Sequence, residues 1–357
     1  MARYKKYFAL LFICLLTIAV SCKKKSANEL PEFDKSTLLS NVGSNIILAN
    51  YQQLDLKLTD FQQKYAAFVG DQTPANFDLA RESWKSSYIQ WEKSLMFDLG
   101  PAMSELLKGY LGTFPSDSTK IGNNIAAGSY NLMQVSNITA QGLPAFDFLL
   151  YRNNAMGYFS QPAYAAYGTA LIAKMKGHVS QVLNGWNSGY LSTFIASTGT
   201  ETTSSFSMFV NEFVKSYEEC KWTKLGIPIG NQSMGVQMPE YMETRYSKQS
   251  FELMYTNLKA LHRVFNGDKE DGTTGVGFDD YLVALDKASL VQTINTEFEG
   301  ILNLINGFTV DFESGMNTNP QALDQLYTKI HNLTIYLKTD MTSSFGVMIT
   351  YQDNDGD

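Results

Sequence analysis

The segment of residues 141–151 reads QGLPAFDFLLY, and it places one acidic side chain, Asp147, in a distinctive context. It has the outline of a ligand-bearing Gly-x-His-x-x-Glu motif, with proline in place of histidine and aspartate in place of glutamate. Gly142 and Pro144 are suited to open a helix, because a proline in the first turn gives up only an amide that has no intrahelical partner. Asp147 is then expected in the first turn, where the helix dipole favours a carboxylate. A structural role for Asp147 is therefore the simpler interpretation.

Other catalytic patterns are nearly absent from the chain. Its three histidines, His178, His262 and His331, form no His-Glu-x-x-His arrangement, so zinc peptidase chemistry has no visible scaffold. No Gly-x-Ser-x-Gly elbow is present. The helix positions of His178 and His262 favour imidazoles that face solvent or a helix end. No Cys-x-x-Cys-His exists, which argues against haem.

The N-terminus indicates export. Basic residues precede an apolar run over residues 7–20, followed by Ser21 and Cys22, as in a secretory signal. The run is too short for a spanning helix. We expect residues 1–21 to be a signal peptide, Cys22 to be lipidated, and residues 22–35 to form a tether. Cys220 then remains as the single mature cysteine, so no intrachain disulfide is expected, and it is interpreted as a buried apolar side chain.

The charge balance restricts the partners. The chain carries a net charge of −7, and removal of the signal takes away three cations, which leaves about −10 on the mature protein. This excludes the basic footprint of a nucleic-acid-binding protein. The basic cluster Lys23, Lys24 and Lys25 lies beside the expected anchor, where it suits anionic lipid head groups. We expect a lipid-anchored protein of the bacterial cell envelope, on the outer membrane and facing the periplasm or the cell surface.

Apolar residues recur at helical spacing along most of the chain. One stripe comprises Leu54, Leu58, Phe61, Tyr65 and Phe68, and a second comprises Leu79, Trp84, Tyr88, Trp91 and Leu95. Further helices are expected near residues 162–184, 204–221, 248–265, 287–306 and 320–339, separated by polar loops over 198–205 and 266–277.

This pattern predicts an all-α fold made of two antiparallel helical bundles packed together, with long polar loops. The first bundle is expected over residues 36–155 and the second over residues 156–357, which includes an acidic tail. The polar stretch of residues 152–157 would form the junction.

Several short motifs occur in an order that resembles the imelysin family. They are Ala-Arg-x-x-Trp at residues 80–84, Trp-Glu at 91–92, Phe-x-x-Gly-Pro at 97–101, Leu-Gly-Ile-Pro-Ile-Gly at 225–230, Arg-Tyr-Ser at 245–247 and the tail from residue 337. The resemblance covers most of the chain after about residue 40. It implies two helical bundles with a pocket at their junction, a link to iron uptake and, from the family name, peptide cleavage.

The resemblance also implies where a site would lie. The family motif matches Gly142, Pro144 and Asp147, so a preferred nitrogen ligand of transition metals is lost. Hard oxygen ligands remain, namely Asp147 with Glu92 and Tyr151 as companions, and these suit ferric ion, calcium or magnesium. The cofactor is thus unidentified, with iron or another divalent or trivalent metal as the candidate.

Two arginines belong to the same family-like motifs. Arg81 and Arg245 would either clamp an anionic ligand or form structural pairs with carboxylates. Burial of Asp147 against one of them would depress its pKa.

The sequence is compatible with three functions. The favoured one is a binding protein for iron, another metal or a small anion, working with envelope transport components. The alternatives are a peptidase of the imelysin type and a non-catalytic scaffold of an envelope complex. The missing nitrogen ligands weigh against the enzyme.

Overall fold

The computed structural model describes residues 33–352, and this part of the chain is all α-helical, without a strand. From Asp34 onward the chain forms one compact unit. The predicted fold class is confirmed. The helices before residue 130 are α1 (Lys35–Ser40), α2 (Leu48–Gly70), α3 (Pro74–Ser94), α4 (Pro101–Ser104), α5 (Leu107–Gly112) and α6 (Ser118–Ala127).

The remaining helices include every one that the apolar spacing predicts, with boundaries within a few residues. They are α7 (Gly142–Tyr151), α8 (Ala155–Tyr158), α9 (Pro162–Gly185), α10 (Leu191–Ala196), α11 (Ser205–Glu219), α12 (Ile227–Ile229), α13 (Ser250–Phe265), α14 (Phe278–Ala284), α15 (Ala288–Asn306), α16 (Phe312–Thr318), α17 (Pro320–Ile335) and α18 (Thr342–Phe345).

Wide π-helical turns continue several helices without a break in the chain. Such turns are uncommon and frequently lie at functional positions. The turn Cys220–Gly226 matters most for the site, because it follows α11 and presents a buried lysine to the core. The other π-helical turns of the described chain are Asn41–Ile47, Trp186–Tyr190 and Tyr336–Met341, and two 3₁₀ turns cover Val135–Ala140 and Pro239–Tyr241.

Helices α2 and α3 form the central pair of the fold. The predicted stripe of α2 is buried, with each of its five side chains at most 1% exposed. On α3, Trp84 and Tyr88 are fully buried, but Leu79 is 43% exposed, so its assignment to the stripe was wrong. Leu79 is five residues from Trp84 and thus off the helical step, and Phe77 and Ala80 fill the core there.

Elements from both sides of the expected junction pack together. Helix α9 packs against α2, and α13 packs against α3 and α15. The chain passes the junction through α8. The division into bundles at residue 155 stays a prediction.

Several expectations fall on residues 1–32 and 353–357, which lie outside the described part. These are the signal peptide, the lipidation of Cys22, most of the tether and the acidic tail. Among the described helices, none is long and apolar enough to cross a membrane.

Gly142 fixes the start of α7, as the sequence predicts. Its φ of 77° lies in the left-handed region, and a Cβ added there would stand 2.5 Å from the carbonyl oxygen of Leu111. The backbone of the α5 end is therefore in direct contact with the first turn of α7. This contact requires glycine on two counts, conformation and space.

We predict that Gly142→Ala lowers the free energy of unfolding more than Gly128→Ala does. Both glycines have positive φ, 77° and 64°, but nothing lies within 4 Å of a Cβ at Gly128. The control should lose about 1–2 kcal/mol from the left-handed backbone alone. The Gly142 variant should lose about 1–3 kcal/mol more because of the clash. Urea unfolding measures both, and equal losses would contradict the close packing of α7 on Leu111.

Candidate functional site

Asp147 lies on α7 and is buried, at 3% exposure. It is the sixth residue of the helix, not part of the first turn, because α7 begins at Gly142. Its carboxylate accepts hydrogen bonds from the backbone amides of Tyr246 and Ser247, at 2.9 Å to Oδ2 and 2.8 Å to Oδ1. The expected stabilisation by its own helix dipole is thus replaced by contacts with a turn about 100 residues further along the chain.

The electrostatics of Asp147 follow from this burial. Loss of solvent raises its pKa to about 6, the two backbone amides hold it down, and the charge of Glu243 raises it further. Neither Arg81 nor Arg245 donates a hydrogen bond to this carboxylate. The pKa is therefore raised, in contrast to the depression that an arginine contact would cause.

A buried lysine forms the centre of the site. Lys224, in the π-helical turn, places its Nζ 2.9 Å from Glu92 Oε1 and 2.5 Å from Glu243 Oε2. All three side chains are at most 3% exposed. Lys224, Glu92 and Glu243 are called the lysine cluster below. It joins α3, the chain after α11 and the turn that precedes α13.

The pKa shifts of the lysine cluster show how its charges balance. Burial raises the pKa of Glu92 well above its usual value, and the Glu243 charge adds to this against the effect of Lys224. Burial alone would lower the pKa of Lys224, but the two carboxylates raise it. The ammonium therefore stays charged, while Glu92 is the carboxyl that favours its protonated form.

Hydrogen bonds from neighbouring helices hold this cluster in place. The Tyr88 hydroxyl donates to Glu243 Oε1 at 3.1 Å, and the Asn257 amide donates to the backbone oxygen of Glu92 at 3.2 Å. The Trp84 indole donates to the Leu143 oxygen at 3.0 Å, which ties α3 to α7. Helix α3 is thus the scaffold shared by Glu92 and the Asp147 helix.

Arg81 and Tyr151 lie together at the C-terminal end of α7. Arg81 donates from Nε and Nη2 to the Leu150 oxygen at 2.9 and 2.8 Å, and its guanidinium lies 4.8 Å from the Tyr151 ring centroid. The Tyr151 hydroxyl contacts the Arg81 backbone oxygen at 3.4 Å. Burial raises the Tyr151 pKa to about 12, against the charge of Arg81. Arg81 thereby caps the Leu150 carbonyl in the last turn of α7.

Arg245 occupies a different environment. Its side chain is 43% exposed and forms an ion pair with Glu313 of α16 at 3.7 Å. The structure therefore brings Glu92 and Asp147 into one buried region around Glu243, places Arg81 with Tyr151, and leaves Arg245 at the surface.

The oxygen set expected for a metal, Asp147, Glu92 and Tyr151, fits a cation poorly. Asp147 has both oxygens engaged by amides, and Glu92 already faces an ammonium. Within residues 33–352, no group of three or more His, Cys, Asp or Glu side chains is arranged to hold a metal ion. Lys224 supplies a positive charge to Glu92, and backbone amides serve Asp147.

The histidines serve as packing residues as well. His178 is buried, stacks on Tyr110 at 4.3 Å, and has its Nδ1 3.2 Å from Glu105, so of the two predicted environments its imidazole does not have the solvent-facing one. His262 stacks on Phe298 and contacts Asn295 at 2.7 Å. Cys220 is buried, as predicted.

A cavity of about 240 Å³ lies between the two halves of the sequence. It is bordered by Ile46 and Asn50 on one side and by one face of α13 on the other. Its charged lining residues are Lys93, Lys259, Arg263, Asp268 and Glu270. Lys93, which lines the cavity, directly follows Glu92 of the lysine cluster on α3.

Lys224, Glu243 and Tyr88 belong to the site although no sequence motif singles them out for it. Weak signals existed for all three. Tyr88 precedes Glu92 by one helical turn, Lys224 directly precedes the family-like stretch at residues 225–230, and Glu243 lies two residues before Arg245. Lys224 and its partner Glu92 are 132 residues apart, and Tyr88 and its partner Glu243 are 155 residues apart. No local sequence pattern reveals such pairs.

The fold and the site define an all-α protein whose motif carboxylates are held internally by a buried lysine and by backbone amides. A sequence model of the family described as Imelysin, peptidase M75, matches residues 47–335. The chain belongs to the imelysin family.

Individual relatives are distant. The chain is 21% identical over 237 residues to Iron-regulated protein A of Synechococcus elongatus, a match that covers 64% of this chain. The chain spans 63% of the length of that curated relative.

Two solved structures share the fold. An imelysin-like protein from Psychrobacter arcticum matches with a TM-score of 0.73 at 16% identity, over 89% of this chain and 97% of the other. A protein described as an iron-regulated protein A precursor, from Parabacteroides distasonis, matches with a TM-score of 0.74 at 15% identity, over 90% and 97%.

We predict that Asp147 makes stability depend on pH between about 4 and 6. In this window the folded protein holds the Asp147 proton and the unfolded chain, with a pKa of 3.8, has released it. The contribution of this group to stability therefore falls as pH rises from 4 to 6 and is constant above. Two pKa units correspond to about 3 kcal/mol.

The measurement compares urea unfolding of Asp147→Asn and the wild type at pH 4 and pH 7. The variant loses an acceptor for one backbone amide, so it should be less stable at pH 4. Its deficit should shrink by about 3 kcal/mol at pH 7. The exposed Asp60→Asn is the matched control. A deficit that is the same at both pH values would show that Asp147 is not buried as described.

Proposed function

We propose that this protein is a non-enzymatic binding protein of the bacterial cell envelope that serves iron acquisition. Its family membership supports this, and two of its relatives are named as iron-regulated proteins. The link to iron for this chain rests on those names.

The proposed location rests on the N-terminal sequence. The apolar run ends at Ser21 and Cys22, which suits export and lipid attachment. One relative is described as a precursor, in keeping with a processed N-terminus. The tether would then hold the helical domain at the membrane surface, on the outer membrane.

The lysine cluster is the observation that carries the non-enzymatic assignment. A hydrolytic site needs a free base, nucleophile or metal-bound water. Here Lys224 bonds to both Glu92 and Glu243, and Asp147 accepts hydrogen bonds from two amides. The second carboxyl oxygen of Glu92 has no partner, but it is buried away from solvent. These groups therefore lie out of contact with the water that a hydrolytic site must activate.

The cavity between the halves is the place where we expect the ligand. Its walls come from the chain around Asn50, the end of α3, and α13 with the loop that follows it. It has five charged lining residues, whereas the lysine cluster is closed to solvent. A ligand bound there would contact both halves of the sequence.

The proposal predicts a growth phenotype that depends on iron. Deletion of the gene should reduce growth in chelator-treated medium and leave growth in iron-rich medium unchanged. The wild-type gene should restore growth, and so should Glu92→Gln, which keeps the shape of the protonated carboxyl. Cys22→Ser, which removes the lipidation site, should not restore it.

Four results would contradict the proposal. One is equal growth of the deletion strain and its parent in both media. Another is peptide cleavage by the purified protein that is lost in Glu92→Gln, which would favour the peptidase. Saturable uptake of Fe(III) that is lost in Asp147→Asn would assign metal binding to the motif residues. Capture of one fixed partner, unchanged in Asp147→Asn and in cavity variants, would favour the scaffold.

A further inference from the structure

We infer that the cavity between α2, α3 and α13 binds a small carboxylate ligand through Arg263, Lys93 and Lys259. The inference rests on the proposed binding role of this cavity and specifies its ligand class. Its volume of about 240 Å³ is below that of sites for drug-sized molecules, so it suits a ligand of a few carbon atoms.

Arg263 provides a prepared donor group. Its Nη1 donates to Glu270 Oε2 at 2.8 Å, while its Nη2 is buried and has no hydrogen-bond partner in the described structure. A buried charged donor without a partner is costly. Guanidinium groups bind carboxylates through two parallel hydrogen bonds, and the side chain of Arg263 lines the cavity.

Two lysines add positive charge to the same cavity. Lys259 precedes Arg263 by one turn of α13 and lies 5.7 Å from the Tyr255 ring centroid. It forms no ion pair with any residue of the described chain. Lys93, at the end of α3, forms an ion pair with Glu270. Three cations therefore line the cavity against two carboxylates, Asp268 and Glu270.

Glu270 indicates what kind of anion these cations accept. Its two oxygens bridge Lys93 and Arg263, one to each, so a carboxylate of the chain itself already fits between them. Glu270 lies in the loop between α13 and α14, is partly exposed, and has no other ion pair in the described chain. It competes with an incoming carboxylate for the same two cations. Removing its charge should therefore strengthen binding.

The test is titration calorimetry of the purified protein with succinate, citrate and inorganic phosphate at low ionic strength. We expect a dicarboxylate or tricarboxylate to bind saturably. Glu270→Gln removes the competing carboxylate and should tighten this binding about tenfold. Arg263→Gln removes one charge-assisted contact and should weaken it about tenfold. Lys57→Gln removes an exposed positive charge on α2 and should leave affinity unchanged.

Tighter binding by Glu270→Gln cannot be explained by misfolding, because a damaged cavity would not bind the ligand more tightly. The inference is overturned if neither the wild type nor Glu270→Gln binds any carboxylate, or if Arg263→Gln leaves affinity unchanged. Binding of phosphate alone would overturn the carboxylate assignment. These results are independent of the growth experiment, so carboxylate binding without an iron phenotype would refute only the proposed function.

Discussion

The ammonium of Lys224 between the carboxylates of Glu92 and Glu243 is the interaction on which the site depends. Removing several charges from water costs several kcal/mol per ion, and only a complete set of partners offsets this. The lysine cluster is fully buried and joins segments that are 132 and 19 residues apart from Lys224. It therefore fixes the turn before α13 against α3. That same turn offers its backbone amides to Asp147, so the anchoring of α7 follows from the position of Glu243.

Two neighbouring residues of α3 contact different parts of the molecule. Glu92 points to the buried cluster, and Lys93, one residue later, lines the open cavity. Successive helix residues differ by about 100° in direction, so adjacent residues face different neighbours. Proline stands at position 144 where the family motif has histidine, and the remaining motif carboxylate, Asp147, accepts hydrogen bonds from two backbone amides.

The sequence predicts the helical architecture well, because each long helix carries its own apolar stripe. The stripe of α2 and the limits of α9, α13 and α15 follow from local spacing alone. The site is harder to predict. Glu92 and Asp147 are identified by motif, but their partners are Lys224 and two backbone amides, and neither leaves a local pattern. Arg81 and Arg245 share the motif context of Asp147, yet one caps the end of α7 and the other pairs with Glu313. The two arginines differ because their partners are distant in sequence and are brought close only by the folded backbone.

The central claim is that Lys224 compensates two buried carboxyl groups. It is tested by the unfolding free energy of Lys224→Met and of the triple variant Lys224→Met, Glu92→Gln, Glu243→Gln. The single variant should lose about 3–5 kcal/mol, because it leaves buried carboxyl groups without their cation, and the triple variant should recover most of this loss. A loss below about 1 kcal/mol in the single variant, or no recovery in the triple variant, would contradict the account.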